Sequence, residues 1–460
     1  MDTTNLSRLV RSFTPVELRD VRRFLQSPFF NQRQDLIQLF DWLSATPEPN
    51  KETAWQQLFG DSPYDDQKLR LHLSYLHRLL EKYLIVKEAT SDELSNQVAL
   101  AVAYRKRNSQ EPFERVRKNL EKILESQPLR NAYYHENRYE LLWESHQHNY
   151  TKNPTDISQL RELSNAADVV YLSQKLRLVC LLTAHQSVYQ VDVENAWEKD
   201  LMAMAERAEF ADQAAVAVYL VCYRMLRQPD DEQHFQAFKA ILIGQSSQFS
   251  EEEMHGLFIL AVNYCVRGIN AGLEKYSGEV LDLYKTGLEK GYLFENGTLR
   301  RFTYYNIVAA GLQANELEWV RFFIHEYKNR LEKKYRESLF SFNLARLEYA
   351  HRNYEHVLDL LQKANYRDIL LNLSAKTLLL KTYFELGERN TLESHMDAMR
   401  NFIHRKRVIG YHRTNYLNVV RYMEKFIRLQ KSDKAALSAF KESVEKEDVL
   451  SEKAFFMGLL

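Results

Sequence analysis

Residues 344–364 read Leu344-Ala-Arg-Leu-Glu-Tyr-Ala-His-Arg-Asn-Tyr-Glu-His-Val-Leu-Asp-Leu-Leu-Gln-Lys-Ala364. Apolar positions recur every three or four residues on both sides of Arg-Asn-Tyr-Glu (352–355), so the stretch predicts two helices joined by a tight turn. The first presents a large–small pair, Leu344-Ala345. The second presents Val357, Leu361 and Ala364. Small side chains at Ala345 and Ala364 suit the place where two helix backbones approach most closely, because a larger group there would push the helices apart.

The pattern recurs. Downstream, Leu379-Leu-Lys-Thr-Tyr-Phe-Glu-Leu-Gly-Glu-Arg389 is continued by Leu392, Met396 and Met399. Upstream, Tyr304–Leu331 turns at Ala314-Asn-Glu316, and Tyr264–Leu288 carries small Gly268 and Gly287. In two units the small pair is replaced, by Leu380 and Met399 and by Val308 and Tyr327. The unit resembles the tetratricopeptide repeat, most clearly over 260–405, and the alternation of helix-length segments with short polar breaks extends the same texture back to residue 92. The resemblance implies a right-handed superhelix of antiparallel helix pairs with a concave groove lined by first helices. In that register Phe342, Arg346 and Tyr349 point into the groove. Thr377, Lys381 and Phe384 extend it on the next repeat, and Tyr305 precedes it. The resemblance implies no particular ligand.

Composition agrees with an all-α chain. Only 13 glycines and 9 prolines occur in 460 residues, all prolines at or before Pro229 and only Gly60 before Gly244. Sheet proteins need many tight turns that these residues supply, so their scarcity predicts long helices. At this length a single core is not expected, and a repeat or several domains are. The 62 basic residues balance 62 acidic ones, so net charge points to neither nucleic acid nor an anionic membrane. No window is long and apolar enough for a membrane span, and Met1–Phe13 lacks a signal-peptide core; a cytoplasmic protein is expected.

Residues 1–90 read as a separate helical bundle preceding the solenoid of 92–460. Thr14-Pro15 predicts an N-cap and first helical residue, with Ser27-Pro28 ending that helix. A second helix starts at Asp35 and breaks at Thr46-Pro-Glu-Pro49. A short one stops at Gly60, and a long apolar one runs from Asp65 to about Lys87.

Residue chemistry supplies no active-site constellation. No phosphate-binding glycine loop or nucleophile elbow occurs. The pairs His146/His148, His72/His77 and His351/His356 lack the helical spacing a metal needs, and Tyr139 stands where a second histidine would follow His135-Glu136. Cys180, Cys222 and Cys265 are widely spaced in apolar runs and read as buried thiols. No enzyme activity, cofactor or metal is therefore expected.

Two charged stretches stand out. Residues 400–431 carry nine Lys/Arg against Glu424 alone, including Arg405, Lys406, Arg407, Arg413, Arg421, Lys425 and Arg428, interleaved with Phe402, Tyr411, Tyr416, Tyr422 and Phe426. Cations with exposed rings are what a single-stranded nucleic acid requires, yet the same rings fit a buried helical stripe. Residues 192–232 hold ten acids against four bases, a surface for another partner or for self-association. The apolar end, Ala454-Phe-Phe-Met-Gly-Leu-Leu460, is expected to dock onto the last helix pair as a cap. These readings favour a protein–protein interaction scaffold that binds a protein or peptide through the groove. A nucleic-acid-associated regulator using 400–431 is the alternative.

Overall fold

The computed structural model describes residues 4–150, 158–189, 197–363, 366, 368–406, 410–429 and 433–460. The chain is all-α, with one two-residue hairpin among the described residues. It divides into two compact units, Met1–Arg177 with Lys199–Ala217 and Leu178–Glu198 with Val218–Leu460. The boundary expected near residues 90–92 lies inside the first unit.

The first unit opens with α1 (Asn5–Ser12), α2 (Pro15–Gln26), α3 (Gln34–Ala45), α4 (Lys51–Phe59) and α5 (Asp66–Ala89). Thr14 caps α2 reciprocally: its hydroxyl accepts from the Glu17 amide at 3.3 Å, and its own amide donates to the Glu17 carboxylate at 2.8 Å. The short α1 was not anticipated; Thr4 caps it and Leu6 and Val10 anchor it in the core. Leu25, Leu39, Phe40, Leu76 and Leu80 form the centre of this core.

Next come α6 (Glu93–Lys106), α7 (Gln110–Ser126) and α8 (Ala132–Tyr150), packed on Phe113, Leu120 and Leu141. The buried Glu144 carboxylate takes two bonds from Arg105, at 2.6 and 3.2 Å. Such a pair orients α8 on α6, because either partner alone would leave a desolvated charge.

Then follow α9 (Ser158–Tyr189), α10 (Glu198–Ala205), α11 (Ala208–Ala211), α12 (Ala214–Arg227) and α13 (Glu232–Gly244). The division between the units runs through α9 and α12.

The rest of the second unit is a succession of helix pairs: α14 (Glu251–Asn270) with α15 (Tyr276–Glu289), α16 (Arg301–Gln313) with α17 (Leu317–Glu326), α18 (Arg336–Ala350) with α19 (Tyr354–Lys363), α20 (Ile369–Glu385) with α21 (Arg389–Arg405), and α22 (Gly410–Arg428) with α23 (Lys434–Glu445), followed by α24 (Lys453–Gly458). Each helix packs on the next along α13 to α22. In addition α16 touches α18, α18 touches α20, and α20 touches α22, a solenoid-like arrangement in which the first helices form a continuous layer. The polar break Glu295-Asn-Gly297 closes a hairpin of β1 (Phe294–Glu295) and β2 (Thr298–Leu299), with Asn296 and Gly297 both at positive φ.

One turn recurs. Asn108, Gly272, Asn315, Arg352 and Gly387 each sit in the left-handed region, at φ between 53° and 83°. The amide after each donates to the carbonyl five residues back: Ser109 to Tyr104, Leu273 to Gly268, Glu316 to Gly311, Asn353 to Glu348 and Glu388 to Tyr383, all at 2.9–3.0 Å. This closes the first helix and reverses the chain at once. Only Arg352 among the five is neither glycine nor asparagine, so its turn is the one held against a steric cost.

The close approaches are set by glycine. A Cβ at Gly268 would lie 2.3 Å from Tyr276, and one at Gly287 2.9 Å from Leu293. Between α16 and α17 the small residue is Gly311, whose added Cβ would lie 2.4 Å from Val320 Cγ2. Val308, read from sequence as standing at that crossing, lies one turn earlier and is buried. Ala345 is fully buried as expected; Ala364 lies outside the described residues. Gly311→Ala should therefore destabilise the protein by about 1–3 kcal/mol. Gly256→Ala, with open space around the new methyl group, should be neutral or stabilise by up to about 1 kcal/mol. Urea denaturation followed by circular dichroism compares the two; a neutral Gly311→Ala would contradict this packing.

Candidate functional site

The layer of first helices carries a cleft of about 460 Å³. Five of the seven residues assigned to a groove from sequence line it: Tyr305 from α16, Phe342 and Arg346 from α18, and Thr377 and Lys381 from α20. They meet because each recurs at three- or four-residue spacing on the face its helix turns to the next first helix.

At the centre is Arg346. Its guanidinium lies over the Tyr305 ring at 4.4 Å and 5.9 Å from that of Phe342, and the two rings are themselves parallel to within 7°. One guanidinium nitrogen donates to the Tyr305 carbonyl at 3.2 Å and to Asn343 Oδ1 at 3.1 Å. No acidic side chain among the described residues pairs with it. Thr377 is 4% exposed and its hydroxyl has no hydrogen-bond partner among the described residues. Thr382, on the same helix, instead donates to the Leu378 carbonyl four residues back at 2.8 Å. Phe342 is 2% exposed and belongs to the core beneath the cleft as much as to its floor.

Lys381 closes one end. It pairs with Glu452 at 2.9 Å and lies over the rings of Tyr349 and Phe455 at about 5 Å. Ser451 is held by two bonds from Asn415, its amide donating to Oδ1 at 2.7 Å and its hydroxyl accepting from Nδ2 at 3.0 Å. Asn418 donates to the Val449 carbonyl at 2.9 Å, and Phe456 is fully buried against Tyr422 and Phe440. The segment before α24 thus docks on α20 and α22. The remaining two groove residues lie outside the cleft. Phe384 packs between Phe426 and Phe455, and Tyr349 lies against Tyr354 and Glu385. Burial, reinforced by Glu385, pushes the Tyr349 phenol up, so it stays neutral.

A second cavity, of about 210 Å³, adjoins the first and shares Tyr305, Ser374, His412 and Tyr416 with it. Its walls are mainly Phe302, Tyr335, Leu339 and Leu371. Arg301 lies within 5 Å of the rings of Phe302 and Tyr335 and is neutralised by Asp368 at 2.7 Å, which also caps α20. Sequence reasoning missed this half of the site. The polar Asn415 and Asn418, on the apolar stripe of α22, signal instead the docked segment before α24, which both of them bond.

The basic stretch has a different character. Arg405, Lys406, Arg413, Arg421, Lys425 and Arg428 are exposed, and Arg407 lies outside the described residues. Arg421 pairs with Glu447 at 2.5 Å, and Arg400 bridges Asp397 and Glu424. Tyr416, Tyr422 and Phe426 are buried and Phe402 is partly buried; only Tyr411 of the five rings stands clear, at 58% exposure. The acidic stretch is likewise engaged, Glu198 with Arg227 and Tyr223, and Glu232 with Lys275; residues 192–196 lie outside the described residues.

The fold also joins Cys180 to Cys222, which sequence spacing left apart. Burial and the neighbouring thiol push Cys180 well above the ordinary thiol range, so it is inert as a nucleophile. Among the described residues no cluster of three His, Cys, Asp or Glu could hold a metal ion, and no helix is long and apolar enough to cross a membrane.

A double-mutant cycle of Lys381→Met and Glu452→Gln should give a coupling of about 1 kcal/mol in urea denaturation, shrinking in high salt. Zero coupling would mean that this pair does not hold the 449–452 segment. No family model, curated protein or solved structure matches the chain.

Proposed function

We propose that this is a non-enzymatic interaction protein of tetratricopeptide-like architecture, and that it holds an extended segment of a partner protein in the cleft on α16, α18, α20 and α22. The observation that carries the reading is Arg346. It is a cation with no acidic partner among the described residues, fixed in place by two rings and a carbonyl. Fixing a charged side chain before binding removes an ordering cost of about 0.5–1.5 kcal/mol from the association. A mixed lining of rings and polar groups suits a peptide better than a small apolar ligand. The burial of Tyr416, Tyr422 and Phe426 weighs against a nucleic acid on 400–431, since stacking needs exposed faces.

Affinity capture from cell extract, at about 150 mM salt and with and without nuclease, tests this. Partners should survive nuclease and be lost with Arg346→Glu, while Arg428→Glu leaves them bound. Loss of every partner on nuclease treatment would overturn the proposal.

A further inference from the structure

The two adjoining cavities differ in chemistry. One holds the unpaired Arg346 guanidinium and the buried Thr377 hydroxyl; the other is walled by Phe302, Tyr305, Tyr335 and Tyr416 and its one cation, Arg301, is already neutralised. We infer that the partner segment is an acidic peptide whose carboxylate side chain is bound by Arg346 and Thr377, with a neighbouring aromatic or large aliphatic side chain seated between Phe302, Tyr305, Tyr335 and Tyr416. This rests on the cleft reading above and names the class of partner.

Three observations converge on it. First, a guanidinium half-buried over two rings is poorly hydrated, and a carboxylate is the group that satisfies its donors in pairs. Second, Thr377 lines the cleft and its buried hydroxyl forgoes the bond to its own helix that Thr382 makes, so a turn of this one side chain would let it donate to a group in the cleft. A buried polar atom left without a partner costs about 1–3 kcal/mol, which an incoming carboxylate oxygen would recover. Third, the chain supplies an internal example of the same chemistry on the same layer of helices. Glu452 places its carboxylate on Lys381 while Phe455, one helical turn on, packs against Lys381 and Phe384. The Arg346 site repeats that pairing of cation and aromatic wall further along the cleft. A second acidic–aromatic segment fits there by charge; a basic segment would set its cations against Arg346, while Lys381 is already paired with Glu452.

The test is fluorescence anisotropy on the full chain with four labelled pools of short degenerate peptides: acidic–aromatic, acidic–alanine, neutral–aromatic and basic–aromatic, with labelled oligouridylate as a fifth probe. The acidic–aromatic pool should bind best. Arg346→Gln should weaken it by about tenfold or more, the loss of a charge-assisted pair. Thr377→Val should weaken it several-fold without lowering the melting temperature, because that hydroxyl has no partner among the described residues. Phe302→Ala, at a side chain 60% exposed, should erase the advantage of the acidic–aromatic pool over the acidic–alanine one. Equal or better binding of the basic or neutral pool or of oligouridylate, or affinity indifferent to Arg346→Gln, overturns the inference. If that happens while captured partners still depend on Arg346, the acidic–aromatic class alone is wrong; if the captured partners are indifferent too, the cleft reading falls with it.

Discussion

The second unit depends on one hydrogen bond, the one from the amide that follows a left-handed residue to the carbonyl five residues earlier. It occurs at the end of α14, α16, α18 and α20, and once in the first unit at the end of α6. By satisfying the end carbonyls of a helix while reversing the chain, it forces the next helix to lie back along the last. With each pair closed this way, the apolar face left over on a first helix can be buried only by the next first helix. The contacts of α16, α18, α20 and α22 follow from that constraint.

That stacking produces the cleft. Neighbouring first helices cannot meet at every level, because large residues such as Phe342 and Tyr305 space them where they stack. The gap is left lined by whatever stands at the same helical phase on each helix: Tyr305, Arg346, Thr377, Tyr416. Arg346 is held by the ring and carbonyl of the previous helix, and Lys381 by an acid of the segment before α24. The groove is thus built by the helix pairs on each other, and its polar groups are positioned by elements far apart in sequence.

Much of this was legible in the residues. The 344–364 unit shows its turn, its large–small pair and its second-helix stripe, and Thr14, Ser27, Gly60 and Asp65 mark helix ends where the structure has them. What escaped was decided by neighbours. A helical period says that Val308 and Gly311 both face inward, but only the crossing point with α17 makes Gly311 the residue that must stay small. Tyr416 was left between a surface patch and a buried stripe because basic residues surround it in sequence; in space it faces Ser374 across the cleft, with its hydroxyl 3.0 Å from the Ser374 oxygen. Phe384 had the right phase for the groove and is covered by Phe455, whose position depends on where the end of the chain packs.

The account stands on partner contact occurring on the layer of first helices. Two exposed phenylalanines allow that to be measured: Phe302 at the rim of the cleft on α16, 60% exposed, and Phe322 on α17, 57% exposed. Each is replaced in turn by a photoreactive benzoylphenylalanine, and the protein is irradiated in cell extract. Crosslinks to protein from position 302 and none from position 322 are predicted. Crosslinks from position 322 alone, or to nucleic acid from either position, would contradict the account.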